Sequence, residues 1–329
     1  MTRLARRIAL MAVIEPSYGS GPPTDPGWSW ADALQILPRN RPRHRIERMN
    51  EPRDLYLRFL GASDEIPGPR VQEIEFEVEL GPSGAQGVAP PWGTLLRACQ
   101  FAEAITPSSR VEYTPVSDPG ESLTIRYWED GHVYVSRGAR GTVQFFFNAY
   151  QVPYARFRFR GYDTNGTEAA WGGPANPFAA WKTPLMPYEA TASQVRLGCT
   201  YAGGTISGGT SYPAKGFSLD MGDNLTYDPI IGGEKVVITA REPKGEMMME
   251  LTAAQEATWR TEMNNSVETT FGWTLGTTNG NRIAVFARRL QRQELQGLDD
   301  NGFRRVNVNF GLILDKDDPN DNFMRIIVS

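Results

Sequence analysis

Histidine and cysteine are scarce in this chain, two of each in 329 residues. Cys99 and Cys199 form no disulfide framework and match no zinc spacing, so both read as buried thiols. His44 sits in a basic stretch and His132 beside a turn, and neither has a nucleophile motif for company. The chain has no Gly-x-Ser-x-Gly elbow, no phosphate-binding Gly-x4-Gly-Lys-Ser/Thr loop and no His-Glu-x-x-His. The glycines from Gly203 to Gly209 resemble a phosphate cradle in composition only, because no Lys-Ser/Thr ends them and no helix pattern follows. The acidic run Asp315 to Asn322 invites a calcium reading, but an EF-hand loop needs Gly sixth and Glu twelfth, and those positions hold Asn320 and Ile326. No pair of carboxylates stands out for glycosidase work. No catalytic residue, cofactor site or metal site is therefore expected, and the chain does not read as an enzyme.

Long apolar runs are missing too. No stretch approaches the roughly 20 residues that a membrane helix needs, so no membrane partner is expected. The apolar run up to Ile14 is short, Glu15-Pro16 ends it and no small-residue cleavage site follows, which makes it a first strand or extended arm rather than a secretion signal. A soluble, cytosolic product is expected. The net charge of -4 carries no bulk nucleic-acid footprint.

Glycine, proline and aromatic residues are plentiful, which suits many short strands joined by turns. The most informative stretch is Glu73 to Leu80, with carboxylates at Glu73, Glu75, Glu77 and Glu79 alternating with Ile74, Phe76, Val78 and Leu80. Successive strand side chains point to opposite faces, so this is a two-faced ribbon with one apolar side. Four like charges along the other side repel one another. They call for a basic neighbouring strand or for something to repel. Arg156, Arg158 and Arg160 alternate with Phe157 and Phe159 in the same manner and are one candidate neighbour.

Residues 15–70 read as a Pro- and Gly-rich arm with a basic cluster from Arg39 to Arg45, and 162–190 as a connector draped over the surface. A helix is expected over 92–105, stopped by Pro107, and a second over 252–264, opened by a Thr252/Gln255 capping box. Hairpin turns are expected at Asp130-Gly131 and Asn279-Gly280. Each half thus reads as strands, one helix, a hairpin and two more strands, a pattern most simply explained by a duplicated β domain. The expected fold is mainly β, with two tandem β-sandwich or barrel domains over 1–190 and 191–329, each carrying one packed helix.

Several phrases, taken in order, resemble the tail tube protein (major tail protein) of long-tailed bacteriophages. They are Asp54 to Ser63, the acidic strand, Pro91 to Glu103, Val111 to Asp118, Gly138 to Ala149, Phe217 to Gly222, Val236 to Lys244 and Leu275 to Arg282. The basic stretch 39–48 and the aromatic-rich connector from Trp171 to Trp181 depart from the pattern. The resemblance implies a structural virion protein whose rings stack into a hollow tube. A tape-measure protein would fill its lumen, tail terminator and distal tail proteins would sit at its ends, and DNA would pass through without specific binding. A chain of this length resembles a fused duplicate, so three chains would supply six domains per ring. Assembly would occur in the host cytoplasm, and the tail of a siphovirus would be the final location.

Within that picture Glu73, Glu75, Glu77 and Glu79 are expected to face the lumen, where an acidic wall repels the polyanion. The alternative is a cross-strand ladder with Arg156, Arg158 and Arg160. Arg39, Arg41, Arg43 and Arg45, with Trp171 and Trp181, are expected at contacts between subunits. A competing function is a tandem β-sandwich module that binds a glycan or receptor at the tail tip, with the lone aromatics as sugar platforms.

Overall fold

The computed structural model describes residues 4, 7–21, 34–53, 55–56, 61–118, 120–164, 167–168, 181–314 and 323–329. In chain order the first strands are β1 (Ile8–Ile14), β2 (Leu34–Ile36), β3 (Arg43–Arg48), β4 (Glu51–Pro52), β5 (Glu65–Ile66) and β6 (Arg70–Glu79). Helix α1 (Gly93–Arg97) follows, then β7 (Phe101–Thr106), β8 (Arg110–Pro115), β9 (Leu123–Glu129), β10 (His132–Asn148), β11 (Tyr154–Asp163) and β12 (Thr167–Glu168). The remainder comprises β13 (Val195–Ala202), β14 (Thr205–Tyr212), β15 (Ala214–Asp220), β16 (Asp223–Ile230), β17 (Gly233–Arg241) and β18 (Lys244–Met249). Helix α2 (Ala253–Asn264) precedes β19 (Glu268–Leu275), β20 (Ile283–Asp300), β21 (Phe303–Leu312) and β22 (Met324–Val328).

One antiparallel sheet runs through both halves of the chain in the order β3-β6-β11-β10-β15-β18-β21-β20. Its apolar face supplies Ile74, Phe76 and Val78, then Phe157, Phe159, Phe145 and Phe147, and across the midline Phe217, Leu219, Met247, Val308 and Phe310. These residues belong to a single contiguous core that also takes Leu95 and Leu96 of α1 and Trp259 of α2. Strands β10 and β20 are unusually long and each serves two sheets. The first part of β10 pairs with β9, and β9 in turn with β1 and β2. The first part of β20 pairs with β19 and β22, which lead on to β13 and β14 and to β8 and β7. A register shift between Ser136 and Ala139 marks where β10 changes partner, and such irregularities bend a strand.

Several expectations hold. Asp130-Gly131 is the β9–β10 turn, with both residues at positive φ, as the two-residue turns that match strand twist require. Helix α2 opens with a complete Thr252/Gln255 capping box. Other expectations need correction. The helix expected over 92–105 ends at Arg97, and Phe101–Thr106 is instead a strand paired with β8. Gln100, at φ 57°, reverses the chain between them. The described part of the arm expected over 15–70 contributes strands to the fold, because β3 hydrogen-bonds to β6, β2 to β1, and Ile36 is buried. The glycine-rich stretch 203–209 runs into β14, which begins at Thr205 and pairs back on β13. Strand pairing also crosses position 190/191. β10 pairs with β15 across it, and β8 with the C-terminal β22.

Candidate functional site

The second face of the long sheet is mostly polar, with Phe146 and Met248 interspersed and Val71 covered by the β16–β17 hairpin. In β6 the burial alternates residue by residue, with Glu73, Glu75, Glu77 and Glu79 on the open side and Ile74, Phe76 and Val78 fully buried. The register sets Glu73 opposite Arg160, Glu75 opposite Arg158 and Glu77 opposite Arg156 on one side. On its other side Glu75 faces Arg43 and Glu73 faces Arg45. The acidic ribbon therefore lies between two basic strands, which removes the like-charge penalty that its sequence alone presents.

The best-formed pair is Arg156 with Glu77, whose Oε1 accepts from Nε at 3.1 Å and Nη2 at 2.8 Å. That bond holds the Arg156 guanidinium above the ordinary arginine range. The Arg43–Glu75 contact is looser, at 3.8 Å, with the arginine largely in solvent. Glu47 is shared by Arg45 at 2.8 Å and Arg160 at 3.4 Å. Beyond β11 the face turns toward neutral chemistry. Gln144 donates to Asp220 at 2.6 Å, Phe146 stacks on Tyr154, and Asn309 donates to Glu294 at 2.8 Å.

The four arginines expected at subunit contacts all have partners inside the chain. Arg39 lies over the Tyr154 ring at 4.3 Å, and Arg41 donates to Glu129 at 2.7 Å. Arg43 and Arg45 take the carboxylates already described. Trp181 packs against the main core, and Trp171 lies outside the described residues, as does the acidic run 315–322.

Two features of the site went unread in the sequence. One is Glu15, which is buried and accepts from Ser122 Oγ, Thr124 Oγ1 at 2.7 Å, and the backbone N–H groups of Gly19 and Gly138. It ties the first strand to β9 and to the bend of β10, and Glu15-Pro16 reads in sequence only as a stop. The other is the condition of the sheet's two borders. Among the described residues β3 has a strand partner only on its β6 side, and β20 beyond Gln291 only on its β21 side. Neither is marked by a local pattern, since which side of a strand stays unpaired is a tertiary outcome. Among the described residues no group of His, Cys, Asp and Glu side chains is placed to hold a metal ion. Among the described residues no helix is long and apolar enough to cross a membrane.

A broad antiparallel sheet with one apolar and one ion-paired face, whose border strands are paired on one side only among the described residues, defines a mainly β protein. Within that class the chain belongs to the phage tail tube protein family, whose family model matches residues 5–313. It is thus a structural component of a bacteriophage tail. No curated protein matches it.

Proposed function

We propose that three copies of this chain close into a ring, with the polar face of the long sheet lining the bore, and that stacked rings form the conduit for DNA. The observation that carries this reading is the direction of the border strands. All neighbours in the sheet are antiparallel, so with eight strands the two outermost run oppositely. Strand β20 of one copy set beside β3 of the next then continues the antiparallel pattern. Closure removes two edges that otherwise template uncontrolled association. The open segments are staggered along the strand direction, as the shear of a tilted barrel requires.

Bore size favours three copies. At about 4.8 Å per strand, 24 strands give a backbone circle roughly 37 Å across before tilt. Side chains narrow this, as does the β16–β17 hairpin, which packs on part of the same face through Thr142, Arg160 and Val71. Two copies would give roughly 24 Å, too narrow once side chains are added, and six roughly 73 Å, far too wide. Residues 1–190 and 191–329 would then occupy quasi-equivalent positions with pseudo-sixfold symmetry.

The glutamates Glu73, Glu75, Glu77 and Glu79 would face the lumen as members of a charge-paired wall. Such a wall serves passage better than a basic one, because each phosphate neutralised by a free arginine releases counterions and favours sticking. A tape-measure protein would occupy the same bore before DNA does, and terminator and distal tail proteins would cap the ends. Arg43 and Arg45, on the border strand β3, would sit at the seam between copies. Native mass measurement and electron microscopy of assembled rings test the proposal. Three chains per ring, with β3 beside β20, is the expected result, and a six-chain ring or a sheet turned with its polar face outward would overturn it.

A further inference from the structure

The strand register creates a like-charge conflict on the polar face that the glutamate ladder does not relieve. Arg140 of β10 lies directly opposite Arg160 of β11. Like charges in that position repel and destabilise a sheet. Arg160 reaches Glu47 at 3.4 Å and shares it with Arg45. Arg140 is buried and, among the described residues, has no carboxylate within ion-pair distance. Its Nη1 donates to Val236 O at 3.1 Å, its Nη2 donates to Gly120 O at 3.0 Å, and the Tyr18 ring lies 4.8 Å from it. Burial holds this guanidinium below the ordinary arginine range, against the smaller opposing pulls of Tyr18 and Glu15.

Both guanidiniums lie against the β16–β17 hairpin, whose backbone accepts from each, Val236 O from Arg140 and Leu225 O from Arg160 at 3.4 Å. Val236 N donates in turn to the Tyr18 hydroxyl. On the inward side Leu225, Tyr227 and Val236 pack with Val71 in a small cluster separate from the main core. On the outward side Asn224, Thr226 and Thr239 are exposed and hydrogen-bond to one another. The hairpin thus replaces two arginines at the surface with uncharged amide and hydroxyl groups. Its root is held separately. Arg241 donates to Asp223 at 2.6 Å and to Cys99 O at 3.2 Å, and Asp223 accepts from Thr142 at 3.2 Å.

We infer that Arg140 and Arg160 form a latent site for the phosphodiester backbone of DNA, and that the β16–β17 hairpin is its cover. Two guanidiniums side by side on paired strands present forked donors that match phosphate oxygens. With the hairpin in place those donors are turned to peptide carbonyls. A carbonyl accepts from a guanidinium without cancelling its charge, so burial beneath the hairpin, not neutralisation, keeps phosphate away. The cover belongs to the single chain, whereas its consequence for passage rests on the ring reading above. With this face toward the bore, two uncovered arginines per chain would hold DNA through counterion release.

Asp223 and Arg241 are directly opposite each other in the hairpin, so residues 224–240 can be replaced by a two-residue Asn-Gly turn with the root kept. The unassembled shortened chain should bind a short DNA duplex at low salt at least about tenfold more tightly than wild type. Its log affinity should also fall more steeply with log salt, by about two in the slope, one for each arginine. Adding Arg140→Gln and Arg160→Gln should return both values to those of wild type. Leu225→Ser with Tyr227→Ser loosens the cover in a chain of native length, with faster amide exchange over 224–240 as the sign of loosening. This chain should gain DNA affinity in the same direction, and it decides the matter if the shortened chain does not fold. A folded chain with the hairpin removed or loosened that binds DNA no better than wild type would overturn the inference, as would a gain that survives loss of both arginines. Wild-type chain that closes into no rings would remove the bore reading and leave the cover to be judged by the DNA measurement alone.

Discussion

Replacing Glu73, Glu75, Glu77 and Glu79 together with glutamine separates the contribution of the charge ladder to folding from its contribution to the bore. The four carboxylates lie between Arg43 and Arg45 on one side and Arg156, Arg158 and Arg160 on the other. A cross-strand opposite-charge pair stabilises by roughly 0.2–1 kcal/mol. Arg156 and Arg43 are more than one-third exposed, at 39 % and 85 %, so solvent screening pushes their pairs toward the low end. The expected loss for the quadruple variant is about 1–2 kcal/mol, most of it at Glu77, whose carboxylate is only 13 % exposed. Urea unfolding of the unassembled chain measures it, and a Glu77→Gln/Arg156→Gln cycle should return a coupling of about 0.5–1 kcal/mol.

The larger consequence is electrostatic. Each chain loses four negative charges while its arginines remain, so a ring of three gains roughly twelve units of positive charge on the proposed inner wall. Short duplex DNA should then bind assembled rings of the variant with an affinity that falls steeply with salt, whereas wild-type rings should hold it weakly at any salt. Phage carrying the variant should build tails yet deliver DNA slowly. A variant that is as stable as wild type and takes up no DNA would refute both halves of the reasoning. A variant that loses stability but gains no DNA binding would show that the ladder lies away from the bore.

Other substitutions test the supports of the site. Glu15→Ala leaves four donors without their buried acceptor and should cost about 2–4 kcal/mol in denaturant unfolding. Trp259 is fully buried on α2, beneath the Arg292 guanidinium at 4.4 Å, so Trp259→Ala should cost about 3–5 kcal/mol, whereas Thr252→Ala at the cap should cost about 1 kcal/mol. Acid should weaken the β3 border through His44. Burial lowers its pKa against the smaller opposing pull of Asp163 and Glu129, with His132 adding to the lowering, and Gln72 and the Tyr127 and Tyr134 rings lie against it. The folded state then binds fewer protons than the unfolded one below about pH 6.5, so stability falls as pH drops through that window. His44→Phe should flatten this part of the pH–stability profile, and an unchanged profile would refute the assignment.

Much of the sheet was legible because alternation is a local signal. The two-faced character of Glu73 to Leu80 and of Arg156 to Arg160 follows from period two alone, and so does their opposite charge. The Asp130-Gly131 turn and the Thr252/Gln255 cap were equally local. Failure came where the decision was tertiary. Leu95, Leu96 and Cys99 fit a helical stripe that continues through Phe101, yet the helix stops at Arg97 because 101–106 is drawn into a ladder with β8. Periodicity cannot distinguish a buried strand from a buried helix over so short a run. The proline-containing, basic text of 34–48 looked like an arm because its strands are short and border the sheets, where prolines such as Pro38 are tolerated. Glu15 was unreadable because its four donors come from residues up to 123 positions away.

The face and the borders of the long sheet impose one further relation on each other. A border strand that must pair with another copy cannot be protected by the usual devices, inward-pointing charge, a covering helix or a central proline, without losing its function. Strand β3 instead carries Arg43 and Arg45 on the polar face, 85 % and 73 % exposed, and engaged on the chain's own side by Glu75 and Glu47. That leaves basic side chains at the seam while the backbone edge stays free. Two unassembled chains meeting β3 to β3 would bring four arginines together and repel, whereas in the proposed ring β3 would meet β20, the strand that carries Glu294. In the proposed ring, charge on the face would thus select which edges pair. Exchanging that bias, with Arg43→Glu and Arg45→Glu, should slow ring closure more at low salt than at high salt, and closure rates that ignore ionic strength would refute the selection.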